Sequence, residues 1–130
     1  MDKMKDMALL VGRVLLALMF VMAGWSKIGG YAGTRGYMEA MGVAGFMLPL
    51  VILLELGGGL AVVLGLFTRS IAVLLAGFTL MAAFIFHYQP ADQMQMLMFM
   101  KNVSVAGGFL ALAAAGAGAF SLDARLGKNW

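Results

Sequence analysis

Residues 50–63 read LVILLELGGGLAVV, a stretch that is apolar except for one carboxylate, Glu55, which three glycines follow. A run of this kind suits a membrane-spanning helix. The whole chain has the same character, because 63% of its 130 residues are hydrophobic and only 12% are charged. An ordinary soluble domain has about twice that charged fraction. The sequence therefore predicts an integral membrane protein that keeps an ionisable group inside one of its spans.

The apolar residues fall into four blocks, at about 7–25, 46–67, 71–88 and 96–119. Each block is close to the length of about 20 residues that a helix needs to cross the hydrocarbon layer. Short separators rich in Gly, Pro and polar residues divide them. No clear signal-peptide cleavage site follows the first block, so we expect a retained helix. The prediction is an all-α membrane protein, with residues 1–130 forming a single four-helix transmembrane bundle.

The segment between the first two blocks, residues 29–45, predicts a short outer interfacial helix. Thr34 is a candidate capping residue, a polar and apolar turn runs from Arg35 to Met41, and Gly42 is a stop signal. Such a helix would lie across the outer end of the bundle, where it could act as a lid. A plain surface loop is the alternative.

Cations near the ends of the blocks predict the orientation, because cytoplasmic loops are enriched in Lys and Arg. Lys27 and Arg35 lie on one side of the membrane, and a larger group lies on the other: Lys3, Lys5, Arg13, Arg69, Arg125 and Lys128. We therefore expect both termini in the cytoplasm of a bacterial inner membrane, with Arg13 as an interfacial anchor. The net charge of +3 is accounted for mostly by this positive-inside bias, together with attraction to anionic lipid, and indicates no nucleic-acid partner.

Several cofactor classes are excluded by composition. The chain has no cysteine, which removes disulfides, iron–sulfur ligation and covalent haem attachment, and its one histidine cannot form a bis-His haem site within one chain. Thioethers suit Cu(I), and methionines recur at every second position near the fourth block: Met94, Met96, Met98 and Met100. On a helix, residues spaced two apart lie on different faces, so the four methionines cannot share one face. We therefore favour apolar packing over a metal site.

Small residues recur at helical spacing and are expected to mark the inner faces of the bundle. They are Gly57, Ala61 and Gly65 in the second block, Ala72 and Ala76 in the third, and Gly107, Ala111 and Ala115 in the fourth. The ionisable residues can be placed by the same i+3 and i+4 spacing. Glu55 shares a face with Gly58 and Gly59, and Lys101 shares one with Ser104 and Gly108. Lys27 shares a face with Gly24, and His87 shares one with Ala83, Thr79 and Ala76.

These polar groups are expected to converge on a pocket in the outer half of the bundle. At about 1.5 Å per residue, Glu55 lies roughly 13 Å below the outer boundary, where a carboxylate needs a proton or a counter-ion, Lys27 or Lys101. The candidate ligand-binding or proton-exchange residues are Glu55, Lys101, Lys27, His87, Asn102 and Trp25. The structural alternative stays open: a buried pair can fix helix register, the lysines can reach water, and Asn102 can bond across helices.

The order and spacing of several segments resemble the DoxX family of small bacterial inner-membrane proteins. These segments are AGWSKIGGYAGTRGYMEAMG around Lys27, LELGGG at 54–59, GLFTR at 65–69, KNVS at 101–104 and GAFSLD at 118–123. The resemblance implies a compact four-helix membrane bundle, with Glu55, Lys27 and the Lys101–Asn102 pair as characteristic polar positions. The resemblance also implies a link to membrane redox, because a related branch of the family looks like the membrane subunit of a thiosulfate:quinone oxidoreductase.

The leading hypothesis is a redox-associated accessory protein that binds a quinone or a similar amphipathic molecule. The candidate partners are membrane lipid, a membrane or peripheral oxidoreductase, and a second copy of the chain. We expect no enzyme activity from the chain alone, because no site for an electron-carrying cofactor is recognisable. A proton-coupled carrier or receptor for a small solute or lipid remains an alternative, and so does a purely structural partner of a membrane complex.

Overall fold

The computed structural model describes residues 3–130, and these form helices and connecting turns. Four helices are long and apolar enough to cross a membrane. In chain order the helices are α1 (Lys3–Gly29), α2 (Tyr31–Ala40), α3 (Gly45–Leu64), α4 (Thr68–His87), α5 (Gln93–Ala115) and the short α6 (Leu122–Arg125). The structure is the predicted all-α bundle, with the spans shifted by a few residues.

The four long helices form a closed bundle. α1 packs mainly against α3, and α4 packs mainly against α5, while α3–α4 and α1–α5 contacts complete the ring. Phe20 of α1 and Phe109 of α5 meet edge-to-face at the centre, with ring centroids 5.4 Å apart. Buried alanines such as Ala72 and Ala76 let α4 approach closely, as predicted for this helix.

The prediction of which residues form the inner face of α5 is wrong. Gly107, Ala111 and Ala115 are exposed, and the residues that α5 buries are Asn102, Ala106, Phe109 and Leu112. Gly57 of α3 is likewise exposed. The reason is that both faces of such a helix are apolar, one against protein and one against lipid. Small residues then do not distinguish the two faces.

α2 is longer than predicted and begins before the proposed cap. It starts at Tyr31 with Gly30 at the N-cap and no capping side chain, so Thr34 lies inside the helix. Met38 is buried, and the Tyr37 ring stacks on Phe86 of α4 with centroids 5.4 Å apart. α2 therefore packs on the end of the bundle. The alternative of a plain surface loop is wrong.

Arg13 is not an interfacial anchor as the sequence suggested, because it is only 1% exposed. Its guanidinium donates hydrogen bonds to the Val62 and Val63 carbonyls in the last turn of α3, and to the Ala117 and Phe120 carbonyls after α5. The carbonyls at a helix end lack partners within the helix. Arg13 therefore ties α1 to the last turn of α3 and to the segment that follows α5.

The C-terminal segment folds back onto the turn between α3 and α4. Ser121 caps α6 by accepting a hydrogen bond from the Ala124 amide. The buried Asp123 carboxylate accepts hydrogen bonds from the Phe67 and Thr68 amides at the start of α4 and from the Trp130 indole. This end of the bundle is thus held by polar contacts, and the candidate site lies toward the opposite end.

Candidate functional site

A cavity of about 740 Å³ lies between the helices. Its walls come from α1, α3, α4 and α5, and α2 covers it with residues that include Tyr37 and Met38. Most of the lining side chains are aliphatic or aromatic. Small-molecule sites in proteins typically have about 300–1,000 Å³ and a mainly apolar lining with a few polar groups. The cavity therefore has the size and character of a ligand site.

One ion pair lies in this cavity. Lys27 Nζ of α1 is 2.8 Å from Glu55 Oε1 of α3, and the side chains are 26% and 7% exposed. The structure thus selects Lys27, not Lys101, as the counter-ion of Glu55. A carboxylate can accept several hydrogen bonds, so Glu55 keeps acceptor capacity beyond its contact with Lys27.

Two glycines bring the ion pair together. A Cβ atom on Gly24 would lie 2.8 Å from the Leu56 backbone nitrogen, and one on Gly59 would lie 3.1 Å from the Val21 nitrogen. The backbones of α1 and α3 therefore touch at both points. Lys27 is one turn beyond Gly24, and Glu55 is one turn before Gly59. Close backbone approach thus places the two charged side chains side by side.

Both Glu55 and His87 lie in π-helical segments. The hydrogen-bonding pattern widens at Leu53–Gly57 within α3 and at Ala83–His87 at the end of α4. Such segments are rare and occur frequently at functional sites, because the widened turn reorients side chains. His87 Nδ1 is 2.8 Å from Gln95 Oε1 of α5, so the π-helical end of α4 is joined to the start of α5.

Three further polar groups line the cavity without a protein partner. Asn102 is 7% exposed, and its amide takes part in none of the hydrogen bonds among residues 3–130. Thr79 is 2% exposed, and within the same residues its hydroxyl has no partner. Lys101 is exposed and belongs to neither of the described ion pairs. Buried polar groups are normally satisfied, so Asn102 and Thr79 are available to a bound molecule, and the exposed Lys101 ammonium group is available as well.

The structure brings five of the six sequence-predicted site residues to this one cavity: Lys27, Glu55, His87, Lys101 and Asn102. Trp25 does not line it, because the side chain points away from the bundle and is 71% exposed. The sequence placed Thr79 only as a small residue below His87 and missed its unpaired hydroxyl. Tyr37 and Met38 were missed as lining residues because no local pattern shows what α2 covers.

The four methionines at 94–100, for which the sequence favours apolar packing over a Cu(I) site, differ in their exposure. Met94 and Met100 are 66% and 55% exposed, while Met96 and Met98 are partly buried. Throughout residues 3–130, no group of three or more His, Asp or Glu side chains is arranged to hold a metal ion.

The fold and the cavity define the class: a four-span α-helical membrane protein with a buried ion pair in an apolar, ligand-sized cavity. The chain belongs to the DoxX family, whose model matches residues 8–88. The chain is 58% identical over 130 residues to inner membrane protein YqjF of Escherichia coli (strain K12), covering 100% of both chains.

Two further relatives extend the comparison. Inner membrane protein YphA of the same strain is 40% identical over 93% of this chain and 91% of its own. "Putative oxidoreductase CatD" of Bacillus subtilis (strain 168) is 36% identical over 65% of this chain and 63% of its own. No solved structure matches the chain significantly. The predicted family is confirmed, and the resemblance to inner membrane proteins covers the whole chain.

Proposed function

We propose that this chain binds a quinone-like amphipathic molecule in the inner membrane and serves as an accessory protein to membrane redox chemistry. The observation that carries the proposal is a cavity in which an ion pair and unpaired polar side chains converge within apolar walls. The redox association draws support from the name of CatD. The proposed orientation has both termini in the cytoplasm, which follows the distribution of Lys and Arg and puts the cavity in the outer half.

The polar groups match the head of a quinone. A quinone ring carries carbonyl oxygens that accept hydrogen bonds, and its reduced form carries hydroxyls that donate them. Lys27, Lys101 and the Asn102 amide offer donors, whereas Glu55 offers an acceptor. Glu55 is also the group that could exchange a proton with the ligand. Phe20, Phe78 and Phe86 provide apolar surface against which a ring can pack.

An apolar ring with two polar ends gains most from a site of this kind. The faces of the ring pack against the apolar walls of the cavity. Its oxygens pair with protein groups that otherwise lack partners in a medium of low dielectric constant. Leaving a buried polar group unsatisfied costs about 1–3 kcal/mol. Pairing even two of them on binding would therefore raise affinity by a measurable factor.

The test is the thermal stability of the protein in lipid nanodiscs with and without a short-tailed ubiquinone. Ligand binding to the native state raises the melting temperature, so we expect a rise for the wild type and little or none for Glu55→Gln. The matched control is Glu39→Gln on α2, because Glu39 pairs with Arg35 at the surface and does not line the cavity. An equal change in melting temperature for wild type and Glu55→Gln on addition of the quinone would refute the proposal.

A further inference from the structure

The cavity has a side opening between α3 and α4. These helices pack together near the turn that joins them, where α4 contacts the Gly58–Leu64 part of α3. There a Cβ atom on Gly58 would lie 3.4 Å from Ile71 Cγ2. The first half of α3, before Gly58, contacts α1 instead. The two helices therefore separate as they run away from the turn, and the cavity occupies the gap.

The rim of this opening is apolar. Leu50 of α3 and Leu74 and Met81 of α4 line the cavity and are also 57%, 57% and 62% exposed. Because both helices are long and apolar enough to span a membrane, such exposed aliphatic side chains face acyl chains and not water. The opening therefore faces the hydrocarbon layer of the bilayer.

Gly77 forms a notch in the rim. It lines the cavity, is exposed, and a Cβ atom added to it would meet no atom within 4 Å. The neighbouring positions along this face of α4, Leu74 and Met81, carry large side chains. The absence of a side chain at Gly77 thus leaves a gap in the rim between Leu74 and Met81.

The end of the cavity nearest α2 is covered. Met38 is 4% exposed and Tyr37 stacks on Phe86, and these three residues line the cavity from that end. The described structure thus joins a covered end, a polar interior and an apolar side opening. This combination fits a molecule that has a small polar head and a long apolar tail.

Building on the proposed function, we propose that the ligand is a lipid-borne molecule whose head lies at the Lys27–Glu55 pair and whose tail passes over Gly77 between α3 and α4 into the bilayer. The ligand class is therefore a long-tailed amphiphile, such as an isoprenoid quinone, and not a small water-soluble molecule. Its tail stays in the lipid, which spares the cost of bringing that surface into water.

The experiment compares Gly77→Phe with Gly107→Phe. Gly107 is a matched control, because it is an exposed glycine of a spanning helix, a Cβ atom there meets nothing within 4 Å, and it does not line the cavity. Binding of two probes is measured in nanodiscs. One is decylubiquinone, and the other is the same benzoquinone head, with its two methoxy groups and one methyl group, without the decyl tail. Melting temperatures without ligand establish that both variants fold.

For Gly77→Phe we expect decylubiquinone to bind about tenfold more weakly, a change of about 1.4 kcal/mol, with little change for the tail-less head. Gly107→Phe should leave both affinities unchanged, and Glu55→Gln should weaken both probes. An unchanged decylubiquinone affinity in Gly77→Phe would place the tail elsewhere and overturn the inference. Equal weakening of both probes would overturn it too, by placing the head at the rim. Failure of wild type to bind either probe would instead remove the proposed function, and the inference with it.

A second measurement needs no quinone and applies if Gly77→Phe does not fold. Phe78 lines the cavity, while Leu53 of α3 does not line it and is 68% exposed. With Trp25 and Trp130 replaced by Phe, the fluorescence of Phe78→Trp and of Leu53→Trp is recorded in lipids brominated on the acyl chains. Quenching of Phe78→Trp comparable to that of Leu53→Trp is expected, because acyl chains reach the cavity. Negligible quenching at position 78 would show a closed wall and overturn the inference.

Discussion

Lys27 and Glu55 should be strongly coupled in their contributions to the stability of the bundle. Glu55 is 5% exposed, and its partner atom Lys27 Nζ is 2.8 Å away. Removing one member of a buried pair costs about 3–5 kcal/mol, because the other charge is left uncompensated. The Lys27 side chain is 26% exposed, so some screening already weakens the pair. For Lys27→Met we therefore expect a loss near the lower limit, about 3 kcal/mol.

The two single variants should differ, because the two charges differ in their access to water. In Glu55→Gln the lysine can extend its ammonium group toward the polar end of the helix, so the loss should be about 1 kcal/mol, that of a typical single interaction. The double variant Lys27→Met/Glu55→Gln leaves no uncompensated charge and should be close to Glu55→Gln alone. The expected coupling free energy is therefore about 2–3 kcal/mol, near the upper limit for contacting residues.

The assay is a double-mutant cycle on the free energy of unfolding, measured by circular dichroism as the protein is titrated from a mild detergent into a denaturing one. The chain supplies its own control, since Arg35 and Glu39 form an exposed i,i+4 pair 3.6 Å apart. For that pair a cycle should give about 0.3–0.5 kcal/mol. A coupling between Lys27 and Glu55 that falls below about 0.5 kcal/mol, the limit for independent sites, would refute this reasoning.

Two further predictions concern the packing that supports the site. Gly24→Ala places a Cβ atom 2.8 Å from the Leu56 nitrogen, so α1 and α3 must separate, and we expect a loss of about 1–3 kcal/mol in the same unfolding assay. Gly12→Ala on the same helix meets nothing within 4 Å and should be neutral or slightly stabilising; equal effects of the two would contradict the close-approach argument. Arg13→Leu removes hydrogen bonds to carbonyls in the last turn of α3 and in the segment after α5. Because bonds to charged groups contribute about 1.5–3 kcal/mol each, we expect a loss of at least about 3 kcal/mol, and a melting temperature within a degree or two of wild type would show that Arg13 is dispensable.

Several features were readable from the sequence because they depend on local composition. The four spans follow from runs of apolar residues, since crossing the hydrocarbon layer requires a nearly continuous apolar helix. Glu55 stood out for the same reason, as a charge within such a run is costly. Grouping Glu55 with Gly58 and Gly59 was also possible, because neighbours at i+3 and i+4 lie on one side of an α-helix, and all three residues are buried in the structure.

Other features were decided only by tertiary structure. The sequence left Lys27 and Lys101 as equal counter-ions for Glu55, and the close backbone contacts at Gly24 and Gly59 selected Lys27. Hydropathy gave no reason to turn Trp25 outward or the small residues of α5 toward lipid. In a water-soluble protein the exposed face of a helix is polar, so it can be recognised from the sequence. In a membrane both faces of a helix are apolar, so its rotation is set by how it packs against its neighbours.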